Sequence, residues 1–261
     1  MLRTVPDILA RIVERKQQEL LESRTAQAEL DRRAETALEG RRDFRAALRA
    51  RSPAVIAEFK KASPSKGVFA AGADPAALAA AYERGGAAAL SVLTDADHFL
   101  GSLDDLSAAR AATGLPALRK DFTISERHVV EAAAWGADAI LLIAAILSPR
   151  QLRDWRELAA RYRMAALVEV HDEDEVSAAV DSGADLIGVN NRDLRTFQVT
   201  LETSLRLAGR MPPHAIRVAE SGIRGPSDVR LLEAAGYHAF LVGEHLMLAA
   251  DPAQALRELA A

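Results

Sequence analysis

From Val55 onward, short apolar runs alternate with longer alanine-rich stretches of helical period. Eight runs stand out: Val55–Lys60, Ala88–Thr94, Ala117–Asp121, Ala139–Ala144, Ala165–Val170, Leu186–Asn190, Arg217–Glu220 and Ala239–Gly243. Their starts lie about 22 to 33 residues apart, the length of one strand followed by one helix. Most are apolar almost without a break, as parallel strands covered on both faces are. Gly86, Gly136, Gly183 and Gly236 stand before the second, fourth, sixth and eighth runs, a two-unit period of about 50 residues. Each is placed to close a helix in the left-handed conformation, which costs glycine least. Four such βαβα quarters predict a closed (β/α)8 barrel, a TIM barrel in the α/β class, over residues 51–261. The rival, a doubly wound open sheet, usually has fewer strands and a GxGxxG turn after the first, and neither pattern holds here.

Residues 1–50 precede that pattern and read as a helical extension packed on the barrel. Asp7 can cap or start the first helix, with Pro6 before it. Ile8, Leu9, Ile12, Val13, Leu20 and Leu21 fall at helical spacing and form one apolar stripe, with charges of both signs opposite. The stripe reads as a docking face for a neighbouring domain. A coiled-coil partner is the alternative, but the repeat is short for one. A second helix is expected over about Ala26 to Leu38, ended by Gly40, and a short Phe44–Leu48 segment leads into the first strand.

Composition narrows the function classes. The chain has 261 residues, 49% of them hydrophobic, and a net charge of −4 without a basic block. Nucleic-acid binding needs a concentrated basic surface and is set aside. There is no cysteine, which excludes disulfides, thiolate metal sites and a cysteine nucleophile and suits a cytoplasmic protein. No apolar run reaches the roughly 18–20 residues of a membrane helix, so no membrane partner is expected. The segment Met1–Asp7 lacks the apolar core of a secretion signal.

In a (β/α)8 barrel the active site lies at the C-terminal ends of the strands. Here those ends carry charge: Glu58 and Lys60, Arg119-Lys120-Asp121, Glu169, Asn190 and Arg192, Glu220-Ser221-Gly222, and Gly243-Glu244. Side chains alternate along a strand, so Glu58 and Lys60 share a face with Ile56. Buried charge is costly unless paired or used. Loops after the seventh and eighth strands often bind phosphate in this fold, and glycine allows close backbone approach. A small phosphorylated substrate and proton-transfer chemistry are therefore expected. No His or Asp/Glu cluster has metal-ligand spacing, so no metal is expected, and with no nucleotide motif and no redox step no other cofactor is expected either. His128 and His214 read as surface residues. His171 follows the fifth strand and is a candidate for the mouth.

With these residues in order, the chain resembles the indole-3-glycerol phosphate synthase family over nearly its whole length. The most specific pieces are Ile56-Ala57-Glu58-Phe59-Lys60-Lys61-Ala62-Ser63-Pro64-Ser65, Leu118-Arg119-Lys120-Asp121-Phe122, Leu167-Val168-Glu169-Val170-His171, Val189-Asn190-Asn191-Arg192 and Ala219-Glu220-Ser221-Gly222-Ile223. The resemblance implies ring closure, decarboxylation and dehydration of 1-(2-carboxyphenylamino)-1-deoxyribulose 5-phosphate to indole-3-glycerol phosphate, CO2 and water. It implies Lys120 as general acid, Glu169 and Lys60 in later proton transfers, and Glu58 tuning the lysines. Asn190 would orient the substrate hydroxyls near Glu220, and Arg192 would sit beside the carboxylate. Ser63, Ser221, Gly222, Gly243 and Glu244 would hold the phosphate, and Phe99 would pack on the ring. The family varies after the eighth strand, which leaves the side-chain contribution of Glu244 open. Ser63-Pro64-Ser65 reads as a loop over the substrate.

A lysine donates a proton near neutral pH only if like charge or burial lowers its pKa, so Lys60 and Lys120 are expected to repel each other, with Glu58 and Glu169 offsetting this. Phosphoribosylanthranilate isomerase shares the fold but uses a catalytic cysteine, which this chain lacks. A non-catalytic phosphate-binding barrel has no use for paired lysines and glutamates on strand interiors. A monomer or weak homo-oligomer is expected.

Overall fold

A computed structural model describes residues 7–64 and 66–261. Pro6 and Ser65, singled out in the sequence, lie outside them. The eight expected strands are present: β1 (Ala54–Phe59), β2 (Ala89–Leu93), β3 (Ala117–Lys120), β4 (Ala139–Ile143), β5 (Ala165–Val170), β6 (Leu186–Asn190), β7 (Ile216–Glu220) and β8 (Ala239–Val242). Each pairs in parallel with the next, and β8 pairs with β1 to close the barrel. The four glycines before the even strands all have positive φ, between 81° and 94°, as their helix-closing positions require.

The two faces of each strand feed two separate cores. In β1, Ile56 packs inside the barrel with Leu118, Leu167, Val218 and Leu241. Its neighbours Val55, Ala57 and Phe59 pack outward against the helices. Burial on both faces explains why the strands read as unbroken apolar runs rather than as alternation. The alternation resumes at the C-terminal ends, where the inward positions become charged.

The extension wraps the barrel from one end to the other. Its helices are α1 (Asp7–Glu22), α2 (Gln27–Thr36) and α3 (Phe44–Arg49). Phe44 and Leu48 of α3 join the interior core beside Ala54, Ala88, Ala139 and Ala239, near the strand starts, and so plug the N-terminal end. Asp43 caps α3 by accepting a hydrogen bond from the Ala46 amide. Alongside the barrel, α2 lies on α4 (Glu126–Ala134), burying Leu30 and Ala34, while Arg33 sits 5.3 Å over the Trp135 ring. Leu9 and Ile12 of α1 reach the opposite end of the barrel and line its mouth.

Two expectations are corrected here. The apolar stripe of α1 does not run to its end: Leu21 is 88% exposed, and the buried line continues from Leu9 and Ile12 to Lys16, which is 4% exposed. His128 is not a surface residue but is 7% exposed. It lies in the first turn of α4, where its carbonyl accepts a hydrogen bond from Arg119 and its Nδ1 accepts the Ile124 amide. Burial, with help from the Arg119 charge, pushes its pKa down to about 4.

Candidate active site

The C-terminal ends of the strands surround a cavity of about 630 Å³. All thirteen site residues singled out from the sequence line it: Glu58, Lys60, Ser63, Phe99, Lys120, Glu169, Asn190, Arg192, Glu220, Ser221, Gly222, Gly243 and Glu244. The pleat brings the deepest of them together. Glu58, Lys120, Glu169 and Glu220 each stand two residues beyond an interior apolar side chain, namely Ile56, Leu118, Leu167 and Val218. By the same alternation Arg119 and Asp121 turn outward. They pair with each other at 3.1 Å and leave Lys120 as the inward cation of β3.

The two carboxylates expected to offset the lysines, Glu58 and Glu169, lie against them, and Glu220 stands as a further carboxyl group beside Lys120. Lys60 pairs with Glu58 at 2.9 Å. Lys120 lies 3.0 Å from Glu169 and 3.6 Å from Glu220. Burial alone would lower the Lys120 pKa, but Glu169, Glu220 and Glu58 outweigh it and hold the ammonium charged well above the ordinary lysine range. The two glutamates diverge. Burial would raise Glu169, but Lys120 and His171 outweigh that, and hydrogen bonds from Lys120 and Asn190 also hold it down. Burial raises Glu220, and the negative charges of Glu169 and Glu58 push it the same way against Lys120. One ammonium thus serves two carboxyl groups, of which Glu169 is ionised and Glu220 keeps a proton. Glu220 Oε1 is buried against Gly188 without a hydrogen-bond partner, which leaves it with unused hydrogen-bonding capacity.

His171 stands behind this group rather than on the cavity wall. Its Nε2 is 3.5 Å from Glu169 and its Nδ1 3.0 Å from Glu175. Although burial opposes it, the hydrogen bond to Glu175 and the charge of Glu169 raise its pKa. A protonated His171 reinforces the ionised state of Glu169.

Around the rim, Asn190 Oδ1 accepts the Arg192 amide at 3.0 Å, and the Arg192 guanidinium donates to the Phe197 carbonyl at 3.4 Å. Ser221 and Gly222 adopt successive left-handed conformations, with φ of 66° and 81°. Such a serine costs of order 1–3 kcal/mol, a strain typical of functional turns. Two glycines make room for the acids. A Cβ at Gly188 would collide with Glu220 Oε1, and one at Gly243 would collide with Glu58 Oε1. Among the described residues no group of His, Cys, Asp and Glu could hold a metal ion, and no helix is long and apolar enough to cross a membrane.

Several contributors escaped the sequence reading. Phe122 stands beside Phe99 in the cavity lining with ring centroids 6.2 Å apart, forming an aromatic wall. Its place two residues after Lys120 was a usable signal. Ile8, Leu9 and Ile12 bring the extension into the site, where the sequence indicated only a docked helix. Gly188 carries no chemistry of its own, and only the position of Glu220 shows its purpose.

Known proteins place this geometry in a family. The family model for indole-3-glycerol phosphate synthase matches residues 9–259. Among curated relatives, the indole-3-glycerol phosphate synthase of Leptothrix cholodnii is 52% identical over 260 residues, covering 97% of this chain and 98% of that one. The Chromobacterium violaceum protein of the same name is 50% identical over 258 residues, 97% of each chain. Among solved structures, a thiamine phosphate pyrophosphorylase from Pyrococcus furiosus superposes with a TM-score of 0.59 at 18% identity, covering 79% of this chain and 93% of that one, a likeness of fold alone. With a family match across nearly its whole length and relatives near half identity, the chain belongs to the indole-3-glycerol phosphate synthase family.

Proposed function

We propose that the mouth of this barrel closes the indole ring on 1-(2-carboxyphenylamino)-1-deoxyribulose 5-phosphate, the carboxy-lyase activity of its family. The observation that carries the reading is Lys120, an ammonium fixed between ionised Glu169 and protonated Glu220 in a cavity walled by Phe99 and Phe122. The aromatic wall takes the aryl ring. Lys60 and Arg192 receive the carboxylate, and Ser63, Ser221, Gly222 and Gly243 offer a phosphate site. A cytoplasmic setting suits such a substrate.

The chemistry follows from that placement. The ring carbon bearing the carboxylate attacks the ketone carbon, and the carbonyl oxygen becomes alkoxide-like as the bond forms. A lysine with a raised pKa is a poor acid towards water, yet it donates readily to an oxygen that is far more basic than itself. The bond to the carboxylate then breaks, CO2 leaves and aromaticity returns. In dehydration the new hydroxyl departs with a proton while a base takes one from the adjoining methylene carbon. Glu169, ionised and held by Asn190 and Lys120, is the base on this side. Glu220, with its retained proton, is placed to resupply Lys120. Glu58 holds Lys60 in place through their 2.9 Å ion pair.

The purified protein is expected to convert the carboxyphenylamino substrate to a product with indole absorbance, and absence of that signal at high enzyme concentration would overturn the reading. The pH dependence gives a second check. Glu220 is raised, so it is protonated at neutral pH and ionises as pH rises, which places a second negative charge beside Glu169. The wild-type kcat is therefore expected to decline on the alkaline side, and Glu220→Gln is expected to flatten that limb while lowering the plateau. An identical alkaline limb in the variant would remove Glu220 from the proton transfers.

A further inference from the structure

The loop after β1 sends another cation across the mouth. Lys66 lies beside the short antiparallel pair of Ala62–Ser63 with Gly67–Val68. Its Nζ stands 2.5 Å from Oε1 of Glu244, 178 residues further along the chain. Glu244 directly follows Gly243 at the end of β8 and lines the cavity with Ser221 and Gly222, the edge to which the proposed function assigns the substrate phosphate. A carboxylate at that edge is an electrostatic problem, because a phosphate dianion arriving there meets a like charge at close range.

Protonation does not solve the problem. The hydrogen bond from Lys66 holds the Glu244 pKa below the ordinary carboxylate range, burial notwithstanding, and the charges of Lys66, Lys60 and Arg192 add to it. The compensation must come from a cation. Lys60 is engaged by Glu58 at 2.9 Å, and the Arg192 guanidinium donates to the Phe197 carbonyl. Lys66 is directed at Glu244 itself. Stability does not account for the pair, since the two side chains are 50% and 39% exposed and such surface pairs contribute little to folding.

We infer that Lys66 is a positioning residue, the counter-ion that makes Glu244 compatible with a bound phosphate. Glu244 seats Lys66 over the phosphate edge, and Lys66 cancels the repulsion Glu244 would otherwise exert. The inference rests on the phosphate edge of the proposed function and settles how an acidic residue can stand there.

A double-mutant cycle tests it. KM for the phosphorylated arylamine, and Kd for inorganic phosphate by calorimetry, are measured in the wild type, Lys66→Met, Glu244→Ser and the double variant. Lys66→Met alone is expected to raise both constants at least about tenfold, with kcat changed less than about threefold and Tm unaltered. In the Glu244→Ser background the same substitution is expected to raise them less than about threefold, so that Glu244→Ser suppresses the Lys66→Met defect. Equal loss in both backgrounds would make Lys66 a phosphate ligand in its own right and overturn the inference. So would unchanged constants, or an effect confined to Tm. The phosphate titration separates this idea from the reading it builds on. If no variant turns over substrate but the suppression of phosphate binding holds, the activity assignment fails and the pair stands. If the wild type binds no phosphate, both fail.

Discussion

Replacing Lys120 with methionine is expected to lower kcat by about three orders of magnitude and leave the fold intact. The loss corresponds to about 4 kcal/mol of transition-state stabilisation, which is reasonable for removing both a proton donor and a fixed charge from a largely buried site. The fold survives because the group left behind can neutralise itself. Glu169 is held ionised mainly by Lys120 and His171, so without the lysine its pKa rises and it takes up a proton. Glu220 already carries one. Thermal unfolding of the variant is therefore expected close to the wild type, and turnover followed by indole absorbance carries the effect. Lys120→Arg separates charge from proton donation, because a guanidinium keeps the charge but does not give up its proton. If arginine restores most of kcat, Lys120 acts by charge alone. If the methionine variant keeps kcat within about tenfold of the wild type, the acid lies elsewhere.

The barrel was legible in the sequence because its strands are buried on both faces, and a parallel strand of that kind leaves an apolar run bounded by turns. The site was legible for a related reason. Glu58, Lys120, Glu169 and Glu220 interrupt those runs where an apolar inward residue is due, and a charge there needs either a partner or a task. Their protonation states were not legible. Glu58 and Glu169 were expected to offset the two lysines, but the sequence does not show that three carboxylates surround Lys120. The pKa of the lysine consequently rises, and the group pushed towards neutrality is Glu220. That reversal depends on distances across β1, β3, β5 and β7, which no spacing along the chain encodes. His128 escaped for the same reason: only the fold shows that the first turn of α4 lies against Arg119.

Lys16 escaped most completely, and its replacement by methionine is expected to have the largest effect on stability. A lysine four residues after Ile12 on a charged helix looks solvated. In the folded protein its Nζ lies 2.9 Å from Asp95 and 3.0 Å from Asp121, all three groups being buried. Removing the cation leaves two buried carboxylates, of which Asp121 keeps Arg119. Breaking a buried pair from one side costs about 3–5 kcal/mol, which for a chain of this size is a fall in Tm of roughly 8–15 °C. The sign with pH is fixed by Asp121. Burial would raise its pKa, but Arg119 and Lys16 outweigh that and hold it below the ordinary carboxylate value. Its contribution is present above an unfolded pKa of about 4 and is lost as pH falls, so the gap between variant and wild type is expected to narrow in acid. The same carboxylates reach the substrate wall. Asp95 caps the helical turn Ala96–Phe99 that carries Phe99, and Asp121 Oδ1 accepts the amide of Phe122. Loosening both aromatics, together with the α1 residues that line the cavity, is expected to raise KM for the arylamine more than it lowers kcat. Arg11→Met, on the exposed face of the same helix, provides the comparison. If Lys16→Met and Arg11→Met unfold at the same temperature with the same KM, the extension is held by its apolar contacts, and the ionic network joining it to β2 and β3 has no part in the site.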